Sequence, residues 1–168
     1  MGLSLKIRAF AFIFVQMYRK TLTKEQALQK LRHYCRYQER CHTEVREKLW
    51  QLGVKKAEHD EIIASLIEDD YLNEERFAIQ FAGGKYRQKQ CGRVKIKYEL
   101  KQRQVSDYSI KKALQQIDEA GYIETLKLLG EKRYAALKNE QYLVRKKKTI
   151  DFLIQKGYEA GLVNNFFN

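Results

Sequence analysis

Proline is absent from the 168 residues of this chain, and only 9 of them are glycine. Both residues interrupt helices and form the turns between strands, so their scarcity favours long helices. The good helix formers Lys, Glu, Leu, Gln and Ala fill much of the sequence, and the strand-like alternation of apolar and polar residues is lacking. The sequence therefore predicts an all-α protein.

Cysteine is also scarce, with only Cys35, Cys41 and Cys91 present. An odd number without dense spacing is typical of a reducing compartment, so we expect a cytoplasmic protein.

The apolar run at residues 9–15 is too short to span a bilayer, and the bulky, basic residues after it offer no signal-peptide cleavage site. We therefore expect no membrane contact. Residues 1–22 are interpreted as an N-terminal extension, for which disorder and a non-native origin upstream of a start at Met17 both stay open.

Residues that could carry catalysis or hold a cofactor are lacking too. The segment Gly83-Gly84-Lys85 does not have the spacing of a phosphate-binding loop, and no nucleophile stands with a base and an orienting group. Two cysteines and two histidines occur within ten residues: His33, Cys35, Cys41 and His42. Cys35 lies on the apolar side of its predicted helix and His33 about 200° around the axis, so a tetrahedral zinc site would require the helix to break. We predict no enzyme, no cofactor, no metal and no small-molecule substrate.

Capping residues mark the predicted helix starts. Thr23 and Gln26 have the spacing of a capping box. Thr43 can cap the next helix, which Gly53 would end in a left-handed conformation. Asn73 precedes two acidic residues and can cap a further helix.

The helical pattern repeats at intervals of about 50 residues. Shifts of 51 and 104 residues bring similar residues together: Val45 onto Ile96, Leu49 onto Leu100 and Leu153, Val54 onto Val105, and Gly53 onto Gly157. Such repeats are typical of small helical units that bury their apolar faces only against each other. We predict three tandem three-helix units at residues 23–72, 73–119 and 120–168, stacked into an elongated array, straight or curved. Chance similarity among amphipathic helices is the alternative.

Two segments carry a family resemblance: Tyr71-Leu72-Asn73-Glu74-Glu75-Arg76-Phe77-Ala78 and Gly92-Arg93-Val94-Lys95-Ile96-Lys97-Tyr98-Glu99-Leu100. They resemble the Tyr-Leu-Asn/Asp-Asp/Glu-Glu-Arg-Phe-Ala and Gly-x-x-x-Ile/Leu-x-x-Glu-Leu segments of the RecX family. The order of the three units is similar as well, from residue 27 to residue 167. Residues 102–105 depart from the family, which often has Lys-Gly-Ile there, and this puts one turn in doubt.

The resemblance implies a cytoplasmic regulator that binds RecA filaments on DNA, lies along the filament groove and inhibits or tunes recombination, DNA repair and the SOS response. It singles out Tyr71, Leu72, Asn73, Arg76 and Phe77 as signature residues. We expect their role to be structural, as a hydrophobic hinge that locks the first unit onto the second, because Phe77 and Phe81 are one helical turn apart.

The charge of the chain is strongly positive, with a formal net charge of +12. Such a field attracts nucleic acids or steers an acidic partner. The candidate DNA- or filament-binding residues lie in two basic blocks: Lys85, Arg87, Lys89, Arg93, Lys95, Lys97, Lys101 and Arg103 in the first, and Arg145, Lys146 and Lys148 in the second. In the first block, Arg93, Lys97 and Lys101 recur at helical spacing and predict a positive stripe on one helix face. Lys147 is expected nearer the apolar side.

We expect the partners to be the RecA filament and single- or double-stranded DNA, bound weakly and without sequence preference. A plain solvated basic face is the alternative for the stripe. A stand-alone nucleic-acid-binding module is the alternative function, because a three-helix unit can resemble a helix-turn-helix. An enzyme is a further rival, for example a nuclease that uses the band of acidic residues at Glu58, Asp60, Glu61, Glu68, Asp69, Asp70, Glu74 and Glu75.

Overall fold

The computed structural model of the protein describes residues 22–167, so the predicted N-terminal extension lies almost entirely outside the described residues. Within this range the chain forms nine helices and no strand. They are α1 (Lys24–Tyr37), α2 (His42–Gln51), α3 (Lys56–Glu68), α4 (Glu74–Lys89), α5 (Arg93–Gln102), α6 (Asp107–Gln115), α7 (Glu119–Ala136), α8 (Tyr142–Lys156) and α9 (Ala160–Asn165). None of them is long and apolar enough to cross a membrane. Two compact units divide between Leu72 and Asn73.

Two of the predicted helix caps are confirmed and one is wrong. The Thr23 hydroxyl accepts from the Gln26 N–H, and the Gln26 side chain accepts from the Thr23 N–H, which completes the capping box. The Asn73 side chain accepts from the Arg76 N–H at 2.9 Å. The second helix, however, begins at His42, with Cys41 rather than Thr43 at the cap position, because the carboxylate of Glu44 accepts from the Cys41 N–H.

The same turn follows α2, α5 and α8. A left-handed residue follows within two residues of each helix end: Gly53 (φ 73°), Gln104 (φ 58°) and Gly157 (φ 93°). After each one, an N–H reaches back five residues to a carbonyl, from Val54 to Leu49 at 3.1 Å, from Val105 to Leu100 at 3.2 Å and from Tyr158 to Leu153 at 3.2 Å. These turns are separated by the same 51 and 104 residues as the sequence pattern. The turn at residues 102–105 therefore keeps its geometry without the family's glycine.

Four core positions also recur in every repeat, and each is at most 6% exposed. They are Val45, Ile96 and Thr149; Leu49, Leu100 and Leu153; Val54, Val105 and Tyr158; and His59, Ile110 and Val163. The two polar members are hydrogen bonded, as buried polar groups must be. Thr149 donates to the Arg145 carbonyl, and Nε2 of His59 lies 3.1 Å from the Val54 carbonyl.

The first unit closes around α1, α2 and α3. Leu72 and the half-buried Tyr71 pack into its core. Arg46 pairs with Asp60 at 2.7 Å and Arg32 pairs with Asp69 at 2.6 Å, in solvent-exposed contacts between α3 and its neighbours. Two of the acidic side chains that the nuclease hypothesis requires are thus paired with arginines.

The second unit contains both later repeats, with α4 packed mainly against α6 and α7 against α8. Phe77 is buried there, 5.7 Å from Phe81 between ring centroids. The hinge between the two units stays a prediction.

A backbone contact joins the two repeats of the second unit. The Gly92 N–H donates to the Lys156 carbonyl at 2.9 Å, and the Val94 N–H donates to the Gly157 carbonyl at 3.0 Å. The chains approach so closely that a Cβ at Gly92 would lie 2.1 Å from the Gly157 oxygen. The start of α5 is therefore built onto the end of α8.

Candidate nucleic-acid interface

Helix α5 presents one face to the core and one to solvent, as predicted. Ile96 and Leu100 are fully buried, whereas Val94 and Tyr98 on the opposite side are 54% and 63% exposed. Lysines flank this exposed side along both edges of the helix, and each edge borders a groove.

Arg93 differs from the predicted stripe because its side chain turns inward and is only 20% exposed. Its Nη2 lies 2.6 Å from a carboxylate oxygen of Glu119, and its guanidinium stands over the ring of Tyr122 at 4.2 Å. Partial burial alone would lower the pKa of Arg93, but the hydrogen bond and charge of Glu119 outweigh it and raise that pKa. The charge of Arg93 is thus paired within the second unit and mostly covered.

Tyr122 lies at the centre of the same cluster. Its hydroxyl accepts from the Arg93 N–H at 2.9 Å and donates to the Glu159 carboxylate at 2.6 Å. Burial, followed by the hydrogen bond to Glu159, raises the pKa of Tyr122 well above its usual value. The phenol of Tyr122 thus connects the first turn of α7 with the start of α5 and with the residue before α9.

The first groove lies between α5 and α6 and has a volume of about 910 Å³. Ile110, Leu114 and Ile117 contribute apolar lining, while its basic residues are Arg93, Lys97, Lys101 and Lys111. Lys101 pairs with Asp107 at 3.2 Å in a solvent-exposed contact of little strength. Lys97 and Lys111 are exposed and form no ion pair within residues 22–167.

The second groove lies on the other side of α5, with a volume of about 470 Å³. Four lysines line it: Lys85, Lys89, Lys95 and Lys156. Lys85 pairs with Glu99 at 2.5 Å, and Lys156 donates to the Lys89 carbonyl at 3.0 Å. Lys89 and Lys95 are exposed and have no ionic partner in the described part of the chain.

Two arginines of the first block occupy different surroundings. Arg87 is exposed on α4. Arg103 is half-buried, donates to the Glu99 carbonyl at 2.8 Å and stands over the Phe81 ring at 4.6 Å. Much of the Arg103 side chain is therefore used for packing.

The second basic block is largely bound within its own repeat. Arg145 donates to the Tyr134 carbonyl at 3.0 Å and stands 3.8 Å from the centroid of that ring, while Lys146 lies 5.4 Å from the ring centroid of Phe167. Lys148 pairs with Glu140 at 2.5 Å. The expectation for Lys147 is wrong, because its side chain is 77% exposed and pairs with Asp151. This block has fewer unpaired charges than the surface around α5.

Sequence reasoning left two basic residues, Lys111 and Lys156, out of the candidate set. Lys111 follows the first basic block in the sequence, but a turn separates it from the stripe. Lys156 is far from α5 in sequence, and only folding brings it to Lys89 and Lys95.

The three cysteines are buried thiols. Cys35, Cys41 and Cys91 are free and buried, and burial raises the pKa of the Cys35 thiol to about 11. Among residues 22–167, no group of three or more His, Cys, Asp or Glu side chains is placed to hold a metal ion.

Comparison with known families follows the repeat boundaries. Residues 73–114 match the model described as RecX, second three-helix domain, and residues 120–167 match RecX, third three-helix domain. The two matches together cover more than half of the chain. The chain belongs to the RecX family.

Its RecX relatives include curated proteins named Regulatory protein RecX, from Bacillus thuringiensis (strain Al Hakam) and Bacillus cereus (strain AH187). Each is 28% identical over 130 residues, which are 77% of this chain and 48% of the relative. The matched region is thus about half the length of these relatives.

Two crystal structures share the fold. RecX from Lactobacillus salivarius superimposes with a TM-score of 0.77 and 23% identity, over 86% of this chain and 94% of the other. A second regulatory protein RecX gives a TM-score of 0.78 and 20% identity, over 84% and 70%.

Proposed function

We propose that this chain is a non-catalytic cytoplasmic regulator that binds RecA filaments on DNA and inhibits or tunes the recombinase in recombination, DNA repair and the SOS response. Membership of the RecX family, whose curated relatives are named regulatory proteins, is the observation that carries the proposal.

The basic surface of the second unit supports a contact with the DNA of the filament. Lys97 and Lys111 on one side of α5, and Lys89 and Lys95 on the other, are exposed without ionic partners in the described residues. Neutralising phosphates with such side chains releases counterions, which favours binding without sequence preference. Because an acidic partner in the protein would have cancelled this charge, we place the weak DNA contact at these four lysines rather than at Arg93.

The decisive measurement is the ATPase rate of the host's own RecA on single-stranded DNA as the chain is titrated in. We expect the rate to change at well below one chain per RecA molecule. In a variant with Lys97→Glu and Lys111→Glu, the concentration needed for half of the effect should rise by about tenfold, because two attractive contacts become repulsive.

The matched control carries Lys55→Glu and Lys56→Glu, which changes the net charge by the same amount. Both lysines are exposed in the first unit at the start of α3, where acidic residues are tolerated well. The control should act like the parent chain. If all three proteins bind bare DNA and none alters the ATPase rate, the stand-alone nucleic-acid module is the better account. Cleavage of DNA by the chain with added Mg²⁺ or Mn²⁺ would contradict the non-catalytic role.

A further inference from the structure

Tyr98 is a large aromatic side chain on α5 that is mostly exposed to solvent. It is 63% exposed, on the side of α5 opposite the buried Ile96 and Leu100. Its phenol has no hydrogen-bond, ring or cation partner within residues 22–167. Tyr108 is equally exposed, but Lys112 covers its ring at 5.1 Å from the centroid. The face of the Tyr98 ring is therefore open to a ligand.

Lysines lie on both sides of Tyr98 along α5. Lys95 and Lys101 come three residues before and after it, so they flank it at about 60° to either side of the helix face. Lys97 lies further round, beside Lys101. The ring thus stands on a ridge between two grooves that lysines line, the first of which also has Asp107, Asp118 and Glu119 in its lining.

A ridge of this kind suits one class of ligand in particular. Single-stranded nucleic acid offers unpaired base faces together with phosphates, and a base stacked on an aromatic ring adds to the attraction of the lysines. A duplex keeps its bases stacked inside, so only its phosphates can reach the lysines. An aromatic ring between lysines can therefore favour single-stranded over double-stranded nucleic acid.

We propose that Tyr98 is a base-stacking platform that gives the chain a preference for single-stranded over double-stranded DNA. The inference rests on the DNA contact of the proposed function and specifies the form of DNA that the contact takes. Stacking on Tyr98 would add to the DNA affinity of the α5 surface beyond what its charge provides.

The test compares three DNA ligands at one salt concentration: an oligothymidylate, an abasic oligonucleotide of the same length and a duplex. Tyr98→Ala should weaken binding of the oligothymidylate by about fivefold to tenfold, the range of one modest stacking contact. Binding of the abasic strand and of the duplex should stay unchanged, because they present phosphates but no free bases. Tyr98→Phe should bind like the parent, since it keeps the ring.

Two further variants separate stacking from other effects. Tyr37→Ala removes an even more exposed tyrosine, in the first unit, and should change nothing. Lys95→Gln should weaken binding of all three ligands, since each presents phosphates. Equal loss for Tyr98→Ala on the oligothymidylate and the abasic strand, or no loss on either, overturns the stacking inference and leaves the proposed function standing. A parent chain that binds no DNA at all overturns the inference and the DNA contact together, whereas an unchanged RecA ATPase rate counts against the regulator alone.

Discussion

Replacing Gly92 by alanine tests how firmly the two repeats of the second unit are joined. The new Cβ would lie 2.1 Å from the Gly157 oxygen, 2.2 Å from its carbonyl carbon and 2.3 Å from the Tyr158 nitrogen. Carbon atoms in contact need about 3.5 Å, so the backbone must move apart by about 1 Å or more. All three atoms belong to the main chain, and no side chain can swing away to make room.

The cost follows from the hydrogen bonds at this contact. A shift of that size stretches the bonds from Gly92 to Lys156 and from Val94 to Gly157, now 2.9 and 3.0 Å, beyond useful length. Each loss costs about 1 kcal/mol, and more where the N–H is left unpaired. With residual strain, we expect the free energy of unfolding to fall by about 3 kcal/mol. For a unit of this size, that lowers the melting temperature by about 12–24 °C.

Thermal unfolding of the full chain, followed by circular dichroism, measures this loss. Gly84→Ala is the matched control, because that glycine lies inside α4 with no atom within 4 Å of the added carbon. It should stabilise by about 0.5–1 kcal/mol through helix propensity. The single tryptophan, Trp50, lies in the first unit and reports on that unit separately. If the Gly92→Ala and Gly84→Ala variants have the same melting temperature, the reasoning is refuted.

Two further predictions concern stability. Gln104 holds a left-handed conformation where the equivalent residues are Gly53 and Gly157, so Gln104→Gly should stabilise the protein by about 0.5–1 kcal/mol in urea unfolding. Gln102→Gly, in the last turn of α5, should instead destabilise the protein. Changes in stability of the same sign for both variants would contradict the turn argument. Burial raises the pKa of Cys35 from 9.0 to about 11, so the folded state binds a proton more tightly there than the unfolded state does. Stability present at neutral pH should therefore fall as pH rises from about 9 towards 11. Trp50 fluorescence in urea at pH 8, 9 and 10.5 measures this, and an equally steep fall in Cys35→Ala would point to other groups.

The sequence predicts the repeat well because its signals are local. A left-handed turn residue and four buried positions return at fixed shifts, and the outward face of α5 follows from the burial of Ile96 and Leu100. The error at Thr43 also has a local cause. Cys41 is a poor capping residue by type, but the helix can begin after it because the Glu44 carboxylate accepts from the Cys41 N–H.

The site was less predictable because its electrostatics depend on distant partners. Arg93 has the spacing of a surface stripe, but Glu119 and Tyr122 on α7 draw its side chain inward. Arg145 is similarly held by Tyr134, and Lys156 reaches the α5 surface only through the fold. Helical periodicity gives the direction of a side chain, but it does not identify the charge or ring that will meet it.

The contact between Gly92 and Gly157 also limits how this pair of repeats can be rearranged in evolution or by design. Repeats that arise by duplication can be shuffled, deleted or copied only while each completes its own structure. Here α5 takes hydrogen-bond acceptors from the end of α8, and the phenol on α7 bonds both the start of α5 and Glu159 before α9. A chain cut between the two would leave donors at the start of α5 without these acceptors, so the second and third repeats form one structural module.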